Sequence, residues 1–518
     1  MYLTQCLHRS VQQHPDRIAV RFGERRRTFR EYVDRVSQLA GALKALGMKA
    51  GDRVAMLSLN SDRYLEYQMG VPWGGGVLNP CNIRWSPAEI LYSLEDSGST
   101  LLLVDETFKD LVERFRREST TLREVIYCGD AAAPEGMHDY ESLLAKSQPV
   151  PDALRRGEDL AGIFYTGGTT GFPKGVMLSH NNLGSAGMAL RAEGLARAGG
   201  TFLHAAPMFH LADMGLALPH WIEGNTHSII PAFNPEQVLA TIEAHRVTNL
   251  MLVPTMIQMM LDHPTLGQRD LTSLRTVFYG ASAVSETLLD RAMQAIPTAE
   301  VFQGFGMTEL SPVATILPPW YQSPEGRRKG KLGSSGRATY CAEVRIVDPM
   351  GDEVPSGTVG EITARGPMVM QGYWNKPELT AAAIKDGWMF TGDGGRMDED
   401  GFITVVDRIK DMIKTGGENV FSAEVENALA KHPAVSASAV IAVPSAQWGE
   451  AVHAVVVLAM GHPATADELI VHCKALIAGY KCPRSIGFVE ALPLSGAGKV
   501  LKTQLREPFW QGRSTNVA

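Results

Sequence analysis

The chain has 518 residues, 45% apolar and 20% charged, the balance of an ordinary globular protein long enough for more than one domain. A net charge of −7 argues against a general nucleic-acid binder, which presents a basic face, but not against loops that bind anions locally. Six cysteines occur without a Cys-x-x-Cys pair, so neither a disulfide framework nor a zinc site is expected.

Met1–Asp16 carries Gln, His, Arg and Asp instead of an apolar signal core, and no run of about 18 apolar residues follows anywhere. A cytoplasmic chain without a transmembrane segment is therefore expected. Phe29 to Leu46 repeats apolar residues at helical spacing, with a Thr28/Glu31 capping box before it and Gly47 after it. Arg53–Leu59 reads as a strand, Ser86-Pro87-Ala88-Glu89 opens a second capped helix, and Thr100–Val104 is a short apolar strand. Further strands are expected at Leu160–Tyr165, Thr248–Val253 and Leu274–Tyr279. Alternation of this kind predicts an α/β fold with mostly parallel sheets flanked by helices. The Gly/Pro-rich stretch Pro318–Gly336 reads as a long surface excursion, and its Arg327, Arg328, Lys329 and Lys331 as a solvated charge run. From Cys341 short strands and turns predict a β-rich module. A small α/β tail follows, with its boundary near Asp407–Lys410.

Seven segments carry groups suited to chemistry. Tyr165 to Val176 offers glycines, the hydroxyls of Thr166, Thr169 and Thr170, and Lys174. Glycine lets successive backbone N–H groups turn inward and lets a ligand approach closely, so the composition suits an oligophosphate, although a flexible turn would read alike. It is not a Walker A loop, because Gly175 follows the lysine and Phe172-Pro173 precede it. Pro207-Met208-Phe209-His210 ends an apolar run, and Tyr279-Gly280-Ala281-Ser282 ends a strand in small residues, where open α/β sheets bind ligands. Gln303-Gly304-Phe305-Gly306-Met307-Thr308-Glu309 sets a ring between glycines, ahead of a hydroxyl and a carboxylate that could face Mg²⁺. Thr391-Gly392-Asp393-Gly394 presents a carboxylate on a turn. Asp407-Arg408-Ile409-Lys410-Asp411 is followed by Thr415-Gly416-Gly417-Glu418, and Ser495-Gly496-Ala497-Gly498-Lys499 puts a lysine on a glycine loop. Singly, each of the last three reads as structural.

In this order and at these separations, the seven segments resemble the adenylate-forming superfamily of acyl- and aryl-CoA synthetases, peptide-synthetase adenylation domains and beetle luciferases. The resemblance spans nearly the whole chain. Gly168 stands where serine is usual, and Phe305 where tyrosine is commoner. The resemblance implies a large N-terminal AMP-binding domain (1–408), built of helix-flanked, mostly parallel sheets plus a β-rich module. It also implies a small mobile α/β C-terminal domain (409–518). It assigns the β- and γ-phosphates of ATP to Thr166, Gly167, Gly168, Thr169, Thr170 and Lys174. Adenine falls to Gly280, Ala281, Ser282, Gln303, Gly304, Phe305 and Gly306, and ribose to Asp393 and Arg408. Mg²⁺ falls to Glu309, with Thr308 and Thr166 beside it. Lys499 would bind both the substrate carboxylate and the α-phosphate. Lys410 would be the hinge, Gly416, Gly417 and Glu418 would line the thiol-acceptor path for coenzyme A, and His210 would floor the acyl pocket.

Pro-Met-Phe-His resembles the CoA-ligase branch, since amino-acid-adenylating domains usually carry an aspartate where His210 stands. A pocket drawing on His210–Ala217, Trp221, Phe233, Gly280-Ala281, Gly304 and Val313-Ala314 is apolar, so a medium- or long-chain fatty acid is expected first and a cinnamate- or benzoate-like acid second. Asp213 would make the pocket more polar only if it faced the cavity. A non-catalytic nucleotide-binding homologue is disfavoured, because Glu309, Asp393, Arg408 and Lys499 are all present.

Overall fold

The computed structural model describes residues 1–167, 173–280, 284, 286–408, 411–416, 418–494 and 500–511. They form two compact units. The first comprises Met1–Ser282, Asp290–Val344 and Ala364–Met389, and the second Ala283–Leu289, Arg345–Thr363 and Phe390–Ala518.

Two large twisted sheets dominate the first unit. One has nine strands. Its parallel centre runs Glu300–Phe305, Thr276–Gly280, Asn249–Leu252, Thr201–His204, Thr226–Ile229 and Ile18–Phe22, and antiparallel strands close both edges. The other has eight strands, parallel from Leu160–Thr166 through Val77–Pro80, Arg53–Leu57, Leu101–Val104 and Glu124–Tyr127, with antiparallel strands at the opposite edge. The central strands are continuous Val/Leu/Ile-rich runs, because helices cover both faces of a parallel sheet.

The helix Phe29–Ala45 forms where its pattern predicts. Thr28 Oγ1 accepts from the Glu31 N–H, while the Glu31 carboxylate accepts from the Thr28 N–H at 2.7 Å. A cap of this kind is worth about 1 kcal/mol. The same reciprocal bonds open the helix Pro87–Ser97 at Ser86 and Glu89.

The Pro318–Gly336 stretch lies largely at the surface, as expected, with Trp320, Glu325, Arg328 and Lys329 exposed, but it is anchored at two points. The Gln322 side chain is buried and donates to the Val301 carbonyl at 2.7 Å, and a side chain at Gly336 would overlap the Ile316 backbone. Arg327 is also not simply solvated, since it donates to the Gln322 carbonyl at 2.8 Å and pairs with Asp290 at 2.5 Å.

In the second unit, Val435–Ser445 and Gly449–Leu458 form a long antiparallel pair. Ile413–Thr415 and Ser485–Phe488 lie beside Gly449–Leu458, and the helices Ser422–Leu429 and Ala466–Leu476 pack on a core that includes Val440, Val452 and Leu469. Large α/β unit and smaller α/β unit together match the fold class read from the sequence.

Candidate active site

The Gly/Thr loop spans the tip of an antiparallel hairpin. Leu160–Thr166 and Lys174–Ser179 pair so that Thr166 lies opposite Lys174 and Tyr165 opposite Gly175. Gly175 must be small, because a Cβ there would lie 3.0 Å from the Tyr165 ring and 2.6 Å from Ile163. The buried Tyr165 hydroxyl donates to Asp96 at 2.6 Å, and burial together with that carboxylate pushes its pKa well above the usual range. The hairpin stem therefore fixes Thr166 and Lys174 on facing strand ends. Gly167 follows Thr166 and is exposed, whereas Gly168, Thr169 and Thr170 lie outside the described residues.

Glu309 sits in a short 3₁₀ turn, Thr308–Leu310, directly after Thr308, and its side chain is buried. The hydroxyl of Tyr373 donates to its Oε1 at 2.8 Å, while the Lys174 ammonium lies 4.4 Å from the centre of the same tyrosine ring. Lys174 and Glu309 thus meet on one residue that the sequence reading did not single out. Its only sequence signal is a strand-prone Gln371-Gly372-Tyr373-Trp374 run, and nothing local ties it to either partner.

Adjacent parallel strands place Gly280 beside Gly304 and Tyr279 beside Gln303, where the Tyr279 hydroxyl donates to Gln303 Oε1 at 2.8 Å. A Cβ on Gly280 would come within 2.8 Å of the Gly304 carbonyl oxygen, and one on Gly306 would overlap the Pro312 carbonyl. These glycines let the strands end in bare backbone around Phe305, at the carboxyl edge where α/β sheets bind ligands. Ala281 and Ser282 lie outside the described residues.

In the second unit, Asp393 lies directly opposite Arg408 across the antiparallel strands Trp388–Met397 and Ile403–Arg408. Thr391 Oγ1 donates to the Ile362 carbonyl at 2.7 Å and accepts from the Asp393 N–H at 3.1 Å, which fixes the turn. Asp407 accepts from the Ser422 N–H at 2.6 Å, and Lys502 bonds both the Ser422 hydroxyl and Glu426. Gly416 adopts φ 59° and donates its N–H to the Trp448 carbonyl at 2.8 Å, and Glu418 is exposed on the neighbouring strand. Lys410, Gly417 and Lys499 lie outside the described residues, and Leu494 and Val500 form an isolated antiparallel bridge.

A model of the AMP-binding enzyme matches residues 7–374, and a model of the AMP-binding enzyme C-terminal domain matches residues 424–499. The chain belongs to the AMP-binding enzyme family. Its relatives place it in the acyl-CoA ligase branch of the adenylate-forming superfamily. It is 39% identical over 506 residues to a feruloyl-CoA synthase of Amycolatopsis, covering 97% of this chain and 98% of the relative. It is 36% identical to a medium/long-chain-fatty-acid–CoA ligase of Mycobacterium tuberculosis, covering 98% and 90%. The crystal structure of ATP-bound MatB from Rhodopseudomonas palustris superposes with a TM-score of 0.89 at 30% identity, covering 99% of both chains.

In this AMP-binding enzyme, His210 stands at the N-cap position of the helix Leu211–Glu223 without a side-chain capping bond, its ring centre 4.3 Å from that of Phe209. Asp213, one turn on, is buried. It pairs with His204 Nδ1 at 2.7 Å, and His204 Nε2 lies 3.0 Å from His227 Nδ1. All three are buried. Gly215, roughly on the opposite face of the helix, packs so tightly that a Cβ would overlap the Pro312 ring. Asp213 is thereby turned away from the Pro312–Val313 side. Trp221, expected in the pocket wall, belongs instead to the core, stacked on His227 at 3.7 Å and on Tyr32 at 5.1 Å. His220 stacks on Phe202, and burial, then the neighbouring His204, hold its pKa down at about 3. Among the described residues, no helix is long and apolar enough to cross a membrane.

Proposed function

We propose that this enzyme is an ATP-dependent acyl-CoA synthetase for a hydrophobic carboxylic acid, a medium- or long-chain fatty acid first. The observation that carries the nucleotide reading is the meeting of Lys174 and the buried Glu309 on Tyr373, a cation and a carboxylate held apart next to a Gly/Thr loop. Asp213 supports the apolar acid, because its charge is committed to His204.

In the first half-reaction a carboxylate oxygen bonds to the α-phosphorus of ATP, the bond to the bridging oxygen breaks, and pyrophosphate leaves. Two anions must meet, so fixed positive charge and N–H donors aimed at the reacting phosphate provide the catalysis. Thr166, Gly167, Gly168, Thr169, Thr170 and Lys174 hold the β- and γ-phosphates. Gly280, Ala281, Ser282, Gln303, Gly304, Phe305 and Gly306 frame adenine, and Asp393 and Arg408 bind the ribose hydroxyls. Lys499 bridges the substrate carboxylate and the α-phosphate.

Among the described residues no three His, Cys, Asp or Glu side chains cluster as a metal cage. The donor set of Glu309 with the Thr308 and Thr166 hydroxyls is all oxygen, and one carboxylate completed by substrate phosphates suits Mg²⁺. When bound there, the ion neutralises phosphate charge.

In the second half-reaction the thiol of coenzyme A attacks the acyl carbonyl and AMP leaves. Gly416, Gly417 and Glu418 form the acceptor face, on a domain 409–518 that turns about Lys410 relative to 1–408 and exchanges that face for Lys499. His210 closes the floor of the acyl pocket.

The test is ATP–pyrophosphate exchange and CoA-dependent AMP release across medium- and long-chain fatty acids, ferulate and benzoate. Turnover with fatty acids is expected. Turnover with ferulate alone selects the second reading, an aryl-CoA ligase, which the similarity to a feruloyl-CoA synthase favours. No turnover with any acid refutes the proposal. Lys499→Ala should lower exchange by roughly 10²–10³-fold or more, while pre-formed acyl-AMP still yields acyl-CoA.

A further inference from the structure

We infer that Tyr373 is a positioning residue that keeps Lys174 and Glu309 apart and aimed, so that each meets its own part of the nucleotide. The inference rests on the reading of Lys174 and Glu309 as nucleotide-facing groups.

A lysine and a buried carboxylate this close to one side chain would ordinarily pair with each other, and ligand binding would then have to break that pair. Tyr373 removes the conflict. Its hydroxyl donates to Glu309 Oε1 at 2.8 Å, which sets the plane of the carboxylate and leaves Oε2 as the other oxygen for a cation. Its ring face carries the Lys174 ammonium at 4.4 Å through charge–quadrupole attraction, which leaves the ammonium's charge unneutralised.

The backbone holds the tyrosine rigidly enough for this. Met370 N–H donates to the Glu309 carbonyl at 2.9 Å and Gln371 N–H to the Met177 carbonyl at 3.0 Å. Tyr373 lies opposite Val176, and Trp374 N–H donates to the Gly175 carbonyl at 2.8 Å. The segment thus splints the Glu309 turn to the strand that begins with Lys174. Thr380 Oγ1 accepts from the Tyr373 N–H at 2.8 Å, and Gly372, at φ 144°, leaves no room for a side chain against Thr380. The ring is buried.

The test is calorimetric titration of ATP into the full-length enzyme over a range of Mg²⁺ concentrations, with no carboxylic acid present, so that turnover plays no part. Tyr373→Phe keeps the ring and removes the hydroxyl. The Mg²⁺ concentration for half-maximal enhancement of ATP binding should rise about tenfold, the size of one lost hydrogen bond to a charged group, while metal-free ATP affinity stays within about twofold. Tyr373→Leu should add a roughly two- to thirty-fold loss of metal-free affinity, the range of a cation–π contact.

A purely structural tyrosine would not distinguish these two readouts. A double-mutant cycle separates the roles further. On a Glu309→Ala background, Tyr373→Phe should leave the Mg²⁺ dependence unchanged. A folded Tyr373→Phe enzyme with wild-type Mg²⁺ dependence overturns the inference alone. Wild-type enzyme that does not bind Mg²⁺–ATP overturns the nucleotide reading and this inference with it.

Discussion

Asp213 offers the sharpest test of what the helix Leu211–Glu223 contributes. Its carboxylate and the His204 ring are 1% and 0% exposed and lie 2.7 Å apart. Asp213→Ala removes one partner of a buried pair, leaves the His204 Nδ1–H without its acceptor, and cuts the chain that continues to His227. Such a break costs about 3–5 kcal/mol. Asp213→Asn keeps an oxygen for the His204 donor and gives up only the charge, so about 1.5–3 kcal/mol is expected, the range for a hydrogen bond to a charged group. In a unit this large each kcal/mol moves the thermal midpoint by about 2 °C or less, so the alanine variant should melt roughly 4–8 °C lower and the asparagine variant about half as far. Differential scanning calorimetry reads the shift, and the acid panel, run in parallel below the lowered midpoint, reads specificity. A core role requires the midpoint to fall while the order of preferred acids stays fixed. An unchanged midpoint with a changed order of acids would refute the reasoning, because it would mean that the carboxylate faces substrate.

Two further outcomes follow from the same part of the structure. The His220 pKa is held near 3 against an ordinary 6.5, so the unfolded chain takes up that proton first, and stability should be complete above about pH 6.5 and fall steadily toward pH 3. His220→Phe should make that acid limb shallower in denaturation followed against pH, and an unchanged limb would exclude His220 as a contributor. Gly306→Ala would drive a Cβ into the Pro312 carbonyl and to within 2.8 Å of Val313 Cα, an overpacking that costs about 1–3 kcal/mol and displaces Phe305. Calorimetric ATP titration should show weakened binding, and wild-type affinity with a wild-type midpoint would mean that the backbone there is not constrained.

Local chemistry was legible where it is written in consecutive residues. The capping boxes at Thr28/Glu31 and Ser86/Glu89 form as their spacing requires, and the apolar runs become parallel strands. Contacts made across the fold were not. Tyr373 and Glu309 are 64 residues apart, and neither segment carries a mark of the other. The sequence left Asp213 open because helical periodicity gives its face but not what that face meets, and the answer came from a histidine at the end of the preceding strand. Pro318–Gly336 lies largely at the surface as its composition suggests, but its anchors at Gln322 and Gly336 carry no local mark. Glycine and proline mark the loss of regular periodicity, which is a statement about backbone conformation and not about exposure. Gly336 sits against the Ile316–Leu317 backbone because it has no side chain, so one glycine of a surface segment also permits tight packing at a single point.

The same contrast bears on why one frame can serve different acids. Gly175, Gly280, Gly304 and Gly306 are each fixed by what an added Cβ would strike, side chains at Gly175 and Gly304 and backbone at Gly280 and Gly306, so the proposed nucleotide side tolerates little substitution. Tyr373, splinted to two segments, adds a rigid side chain to that frame. The residues that follow His210 are different in kind. Leu211 and Met214 pack as ordinary buried apolar side chains, whose exchange for others of similar volume usually costs under about 1.5 kcal/mol. Under the proposed assignment, mutations can therefore accumulate on the acid side without disturbing the site that activates the acid. Whole-length identities of 39% to a feruloyl-CoA synthase and 36% to a fatty-acid–CoA ligase are what that division would produce, since the two relatives differ in the named acid and match this chain almost equally well. Overall identity consequently weighs little in choosing the acid, and under the proposed assignment the side chains on the helix that begins at Leu211 weigh more.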